Sequence, residues 1–233
     1  MRKLFLIAAL WLGALTPIAH ADSFKAGLDL YRHWDYFAAL TQFRVAADAG
    51  LADAQFMVGA MHAEGKGTTQ DYGQALHWYR MAAEQSHVYA QLNLGFMHDQ
   101  GLGTPQDDKE ALRWFGLAAA QGNAAAQFNL GVMNYQGQGT PQDFDLALRW
   151  FTLAAARGHT GAQRNLGVMH RIGQGTPQDY PRAHMWLSLA GGRGERSAGQ
   201  QRETLAQLMT PAQLTHAQKM AEDCRSRNFK ACD

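Results

Sequence analysis

The sequence predicts an all-α fold in which antiparallel helix pairs follow one another along the chain. Residues 86–121 and 122–157 are identical at 22 of 36 positions without a gap, which indicates internal duplication. Apolar residues within each copy recur at helical spacing and never alternate as they do in a strand. A Gly-rich string divides every copy into two helical halves.

Four consecutive copies share one register of 36 residues, and they span 50–85, 86–121, 122–157 and 158–193. Single residue types recur at this step: Gln55, Gln91, Gln127, Gln163; Gly59, Gly95, Gly131, Gly167; Met61, Met97, Met133, Met169; Trp78, Trp114, Trp150, Trp186.

The copy at 122–157 shows why each half is a helix. Its apolar residues fall at steps of three, four, seven and eight, which places them on one helical face. Gly131 lies inside the first helix, where glycine costs about 1 kcal/mol relative to alanine. We therefore expect another backbone to come close there, and we expect the repeated tryptophans to be core. The apolar sets are Ala126, Leu130, Met133 and then Ala147, Trp150, Phe151, Ala154, Ala155.

The string GQGTPQDF at 137–144 predicts the connection between the two helices. Gly137 suits the left-handed position after a helix end, and Gly139 permits a second unusual backbone angle. Thr140 precedes a proline and is therefore extended. Asp143 is placed to cap the second helix. In the preceding copy, Glu110 is expected to complete a capping box with Asp107.

A phosphate-binding loop is the alternative interpretation of this string, and the residues argue against it. A dinucleotide fingerprint needs a third glycine and a preceding strand, and a P-loop ends in Gly-Lys-Ser/Thr. Neither pattern is present in the four copies.

The N-terminus has the pattern of a secretory signal peptide spanning residues 1–21. Arg2 and Lys3 precede an apolar run at 4–15, and small residues lead to a cleavage point between Ala21 and Asp22. A retained membrane anchor is the alternative, but the run is shorter than the ~20 residues of a membrane span. We expect export to the periplasm or the medium, with no membrane insertion after cleavage.

Charge and cysteine content limit the classes of function. Without residues 1–21 the chain carries 19 basic and 20 acidic residues, so it lacks the basic surface of a nucleic-acid binder. The two cysteines, Cys224 and Cys232, are expected to form a disulfide in an oxidising compartment. Free thiols or a shared metal are the alternatives, although no additional ligands lie nearby in sequence.

The segment AQFNLGVMNYQGQGTPQDFDLALRWFTLAAARG at 126–158 and its three copies resemble the Sel-1-like repeat family, which is related to tetratricopeptide repeats. This resemblance implies a right-handed superhelical solenoid of α/α pairs. It also implies a scaffold for protein–protein contacts, and exported bacterial members act in envelope assembly, signalling or host contact. Residues 22–49 are similar to a shorter, tetratricopeptide-like helix pair.

Residues 194–233 are predicted to form capping helices that cover the end of the repeats. Thr210, Pro211 and Gln213 are typical of a helix start, and we expect that helix to run to about Arg225. Another helix is expected around 203–208. Cys232 would fold the tail back onto this cap.

A column is the set of residues at the same position of successive copies. The proposed partner-binding groove follows one column on the first helices, in which the residue type varies, together with the residue that follows each member. Tyrosine is common at this column in the family, whereas this chain has histidine or asparagine there. Partner contact, a shared metal and ordinary polar residues without a role are the three interpretations of the column. The residues are His62, His98, Asn134 and His170, with Ala63, Asp99, Tyr135 and Arg171 beside them.

The sequence favours a binding scaffold over an enzyme. Motifs of metalloproteases, serine hydrolases and class A β-lactamases are absent from it. A cysteine-rich branch of the resembling family is associated with β-lactam binding or hydrolysis, but its repeated cysteine pairs are replaced here by residues such as Ala119 and Gln127. We expect a protein or peptide partner and no cofactor, with a β-lactamase-like or cell-wall-active enzyme as the alternative.

Overall fold

The computed structural model describes residues 16–229 and Cys232, and for residues 16–19 it describes the backbone only. Within this part of the chain the regular structure is entirely helical, as the sequence predicts. The twelve helices are α1 Thr16–Arg32, α2 Tyr36–Asp48, α3 Ala52–Glu64, α4 Tyr72–Glu84, α5 Val88–Gln100, α6 Asp108–Ala120, α7 Ala124–Gln136, α8 Phe144–Ala155, α9 Thr160–Ile172, α10 Tyr180–Gly191, α11 Arg196–Ala206 and α12 Pro211–Ser226.

The helices belong to two compact units, with α1–α5 in the first and α6–α12 in the second. Neighbouring helices pack as antiparallel pairs inside each unit. Near the α7–α8 connection, the rings of Tyr135 and Phe144 lie 5.2 Å apart. Further from the connection, one turn back along α7 and two turns along α8, Gly131 faces Phe151. The ring of Phe151 is buried. The predicted all-α fold of antiparallel pairs is confirmed.

Glycine at the middle of a first helix lets the second helix of the same unit pack closely. A Cβ atom added to Gly131 would lie 2.5 Å from the Phe151 ring, a distance that real Cβ contacts do not adopt. Gly59 faces the ring of Tyr79 in the same way, and Gly27 faces Phe43 in the N-terminal pair. The close approach expected at Gly131 is therefore confirmed, although the partner is an aromatic ring rather than a backbone.

The two glycines of the connection have different roles. Gly137 ends α7 in the left-handed region with φ 73°, as predicted. Gly139, with φ 66°, also presses against the start of the preceding second helix, where an added Cβ would lie 2.8 Å from the backbone carbonyl of Asp108. Gly103 and Gly175 make the same approach to Tyr72 and Phe144. The second glycine therefore joins one repeat to the one before it.

Polar side chains complete the connection. Asp143 accepts a hydrogen bond from the Leu146 backbone N–H at 2.8 Å, which caps α8 as predicted. Gln142 donates from Nε2 to the carbonyl of Tyr135 at 2.8 Å and so satisfies the end of α7. The predicted capping box at Asp107 is wrong, because the carboxylate of Glu110 pairs with Arg113 at 3.0 Å instead.

The repeated glutamines connect successive helix pairs. Nε2 of Gln127 donates to the carbonyl of Ala119 at 3.2 Å, and Gln163 reaches Ala155 at 3.3 Å. Gln55 makes the equivalent bond to Ala47 in the first unit. Each bond adds a side-chain donor to a carbonyl in the last turn of the preceding second helix. That carbonyl otherwise accepts only from the turn that ends the helix, as Ala119 does from the Gly122 backbone N–H at 2.9 Å.

The repeated tryptophans are not all core residues. Trp78, Trp114 and Trp186 are buried. Trp150 is only partly buried, and Phe151 fills the core of that repeat. The expectation of a uniform tryptophan core is therefore wrong at this position.

The C-terminal helices form as expected and pack on α10. Thr210 and Gln213 make the predicted capping box at the start of α12, while α11 begins at Arg196, earlier than the sequence indicates. A disulfide joins Cys224 to Cys232, with their Cα atoms 4.9 Å apart. Both cysteines lie in a buried cluster that includes Trp186.

At the N-terminus, the apolar run of the predicted signal peptide lies outside the described residues. Ala21 and Asp22, the residues on either side of the predicted cleavage point, lie within α1. In the part of the chain that the structure describes, no helix combines the length and the apolar composition needed to cross a bilayer. The predicted boundaries between repeats fall in the connections that separate one helix pair from the next.

Candidate functional site

The predicted histidine and asparagine column is buried. His62, His98, Asn134 and His170 are each only 4–5% exposed. The reason is that the connection folds back over this turn: the backbone N–H of Asp143 donates to the carbonyl of Asn134 at 2.9 Å. The structure therefore corrects the prediction that these four side chains line an open groove.

Two members of the column show what the buried side chains do. Nδ2 of Asn134 donates to the carbonyl of Leu130 at 2.7 Å, inside its own helix. Nε2 of His62 lies 3.2 Å from a guanidinium nitrogen of Arg44. Burial and the neighbouring Arg44 lower the pKa of His62. Within the described residues, no three histidine, cysteine or carboxylate side chains come together as potential metal ligands.

The four neighbours of the column are more accessible. Ala63, Asp99 and Tyr135 are half-buried, and Arg171 is exposed. Tyr135 lines a cavity of about 380 Å³ in the second unit. The other three do not line it.

This α7–α9 cavity lies between two successive first helices, with the second helix α8 behind it. Phe128 and Val132 of α7 face Val168 and Met169 of α9, and the ring of Phe151 lies at the base. The remaining lining residues are polar and comprise Tyr135, Gln136, Arg164 and Asn165.

The polar groups of the α7–α9 cavity carry one positive charge and no negative charge. Nε of Arg164 is buried and has no hydrogen-bond partner among the residues that the structure describes. A buried guanidinium nitrogen without a partner is costly, and a carboxylate is the group that satisfies it best. The hydroxyl of Tyr135 donates to Oε1 of Gln174 at 2.6 Å, which holds the tyrosine ring at the wall of the cavity.

The wall is supported by an aromatic stack that joins two repeats. The imidazole of His159 lies on the ring of Phe128 with centroids 4.4 Å apart. Nδ1 of His159 also accepts from the Ala162 backbone N–H at 3.2 Å, so the histidine caps α9. In the first unit, His87 stacks on Phe56 at 4.6 Å and caps α5 in the same way. Both histidines are half-buried, because each lies against an aromatic ring of the preceding repeat.

We expect His159→Asn to make folding stability less sensitive to acid. Burial lowers the pKa of His159 below its usual value of 6.5. The unfolded chain therefore binds this proton at a higher pH than the folded chain, so the free energy of unfolding falls as the pH drops below 6.5. One such group contributes at most about 1.4 kcal/mol per pH unit. Asparagine keeps the cap, as Asn123 does for α7, but it does not titrate.

Urea unfolding at several pH values between 7.5 and 5 measures this difference. The wild-type chain should lose more stability over that range than the variant. Equal losses in both chains would contradict the assignment of His159 as a neutral, half-buried cap.

A signal for this cavity is present in the sequence, but it lies in the columns that vary. Positions 128, 132 and 135 are one helical face at steps of four and three, and positions 164, 168 and 171 are the same face in the next repeat. The step-36 column through position 128 reads Phe56, Leu92, Phe128, Arg164. Arginine in an otherwise apolar column marks the site.

Comparisons with known proteins agree with the repeat architecture. The Sel1 repeat family matches residues 52–87, 88–123, 124–159 and 160–194. Among curated proteins none matches this chain.

Several solved structures are similar to the chain, and two of them are at least 30% identical to it. It is 30% identical to c5321, a protective antigen present in uropathogenic Escherichia coli strains that displays an SLR fold, with a TM-score of 0.82 over 91% of this chain and 47% of that one. It is 36% identical to a Sel1 repeat protein from Oxalobacter formigenes, with a TM-score of 0.67 over 73% of this chain and 50% of that one.

The chain thus spans about half the length of these two solved structures. The four family matches follow one another without a gap and cover more than half of the sequence. On this basis the chain belongs to the Sel1 repeat family.

Proposed function

We propose that the chain is an exported, non-enzymatic scaffold that binds a protein partner through the α7–α9 cavity. Sel1 repeats typically mediate protein–protein contacts, and tandem helix pairs present such contacts along their first helices. The observation that carries the proposal is the buried Nε of Arg164, which has no partner within an otherwise largely apolar cavity.

The chemistry of the cavity defines the partner segment. Phe128, Val132 and Val168 offer an apolar surface for an aliphatic or aromatic side chain. Among the described lining residues Arg164 supplies the only charge, so a carboxylate next to the Arg164 side chain is complementary. The partner is a protein segment in which an apolar residue lies next to Asp or Glu, or at the C-terminus, where the chain ends in a carboxylate.

Photo-crosslinking in the native cell tests this proposal. A photoreactive amino acid at Val168, which lines the cavity, should give one dominant adduct that mass spectrometry identifies. The control position is Leu153, an exposed residue on α8 that lies outside the cavity lining. The same adduct from both positions, or none from Val168, would contradict the proposed surface.

Export is part of the proposal, and it is supported by the basic, apolar and small-residue pattern of residues 1–21. The N-terminus of the protein recovered from the periplasm should be Asp22. An intact N-terminus, or protein found only in the cytoplasm, would overturn the proposed location.

A further inference from the structure

A second cavity, of about 530 Å³, lies among the three C-terminal helices α10, α11 and α12. We call it the cap cavity. It shares no lining residue with the α7–α9 cavity. Its volume is within the range of small-molecule sites. Its lining consists of His184, Ser188, Arg202, Glu203, Ala206, Leu214, Gln218, Ala221, Glu222 and Arg225.

The base of the cap cavity is a buried polar pair. His184 is only 6% exposed, and Ser188 is buried one turn further along α10. Nδ1 of His184 lies 3.4 Å from Oγ of Ser188. Burial and the positive charge of Arg202 lower the pKa of His184, so near neutral pH the imidazole offers hydrogen bonds without adding charge.

The other repeats show that this polarity is not required by packing. The equivalent residues one, two and three repeats earlier are Leu148, Leu112 and Leu76, and each of them is only half-buried. Histidine replaces leucine in the repeat where α11 and α12 cover the position and make it most buried. Greater burial favours apolar side chains, so a polar residue here indicates a requirement other than packing.

The charged groups of the cap cavity are balanced in sign. Arg202 and Glu203 pair weakly with each other at 3.4 Å on α11. Arg225 and Glu222 lie one turn apart on α12 and both line the cavity. Neither makes an ion pair with another of the described residues. One cation and one anion are therefore available to a ligand.

We propose that the cap cavity binds a small zwitterion, an amino acid or a short peptide, with its carboxylate at Arg225 and its ammonium group at Glu222. His184 and Ser188 then provide hydrogen bonds for the polar backbone of the ligand. Arg225 and Glu222 form the rim of the cap cavity. A ligand with a single charge would satisfy only one of these two groups and leave the other facing a like charge or without a partner. A zwitterion satisfies both.

Isothermal titration of the intact chain with L-alanyl-L-alanine tests the proposal. The dipeptide should bind at least tenfold more tightly than its N-acetylated form and its C-amidated form, since each of these lacks one charge. Absence of binding, or equal binding of the three compounds, would overturn the assignment.

Rim variants locate the binding site. Glu222→Gln and Arg225→Gln should each weaken binding of the dipeptide at least tenfold. Their matched controls on α12 are Asp223→Asn and Lys219→Gln, which remove the same charges outside the cavity lining. All four residues are exposed, so these changes should leave helicity by circular dichroism unchanged.

A variant at the base gives an independent result. His184→Leu restores the residue of the other repeats and should abolish binding of the dipeptide, with thermal stability equal to or above that of the wild type. Unchanged binding in this variant, or an equal effect of the rim variants and their controls, would show that the dipeptide does not bind in the cap cavity.

Discussion

Replacing Gly139 by alanine should lower the free energy of unfolding by roughly 2–5 kcal/mol. A left-handed backbone angle costs a residue other than glycine about 1–2 kcal/mol, and Gly139 has φ 66°. Overpacking adds about 1–3 kcal/mol, because the new Cβ would lie 2.8 Å from the carbonyl of Asp108 at the start of α6. That carbonyl is backbone in a helix and cannot turn away as a side chain would.

Gly50→Ala separates the two contributions. Gly50 has φ 93°, and an added Cβ would meet nothing within 4 Å. This control should therefore show the cost of the backbone angle alone, about 1–2 kcal/mol. Chemical denaturation of both variants measures the difference. Equal losses would mean that Gly139 makes no close contact between repeats.

The second large effect is expected at Gly131, where alanine should destabilise the chain by about 1–3 kcal/mol through overpacking. In a helix this substitution is ordinarily favourable by about 1 kcal/mol. Here the new methyl group would lie 2.5 Å from the ring of Phe151. The ring is buried and enclosed by the core of its repeat, so it has little room to move.

Gly116→Ala is the matched control, and it should have the opposite sign. Gly116 lies inside α6, and an added Cβ would meet nothing within 4 Å. We expect a gain of about 0.5–1 kcal/mol from helix propensity alone. Thermal or urea unfolding of the two variants gives the comparison directly. A gain in both would contradict the close packing of α7 on α8.

The features predicted correctly depend on short stretches of sequence. Gly137 and Asp143 end one helix and start the next through their own backbone and side-chain chemistry. Thr210 and Gln213 form a capping box from four consecutive residues. Because the same residues recur every 36 positions, the local structure predicted for one copy applies to the other copies.

The wrong prediction at Asp107 has a local cause, because Glu110 pairs with Arg113 instead. The wrong predictions about burial depend on contacts between distant residues. The repeat shows that His62 and Asn134 occupy the same position, but it does not show which side of the helix the connection covers. His159 is polar and stands in a connection, which suggests exposure. Its burial depends on Phe128 of the preceding repeat, and only the folded structure brings those two rings together.

The candidate site was difficult to predict for a related reason. The column next to the histidines contains Tyr135, which does line the α7–α9 cavity. Arg164 lies two helical turns before Arg171, the column member of the next repeat. What distinguishes it is its buried Nε, which has no partner among the described residues. Neither composition nor periodicity reports such an unsatisfied group, because it arises where two repeats meet.

The most direct test of the proposed function is the dissociation constant of the crosslinked partner for two arginine variants. Arg164→Leu introduces the residue that Leu92 has in the same column, and it should weaken binding at least tenfold, or about 1.4 kcal/mol. Arg149→Gln removes an equal charge from an exposed position on α8 and should leave the constant unchanged. Wild-type affinity in the Arg164 variant, or the same loss in both, would contradict partner binding at the α7–α9 cavity.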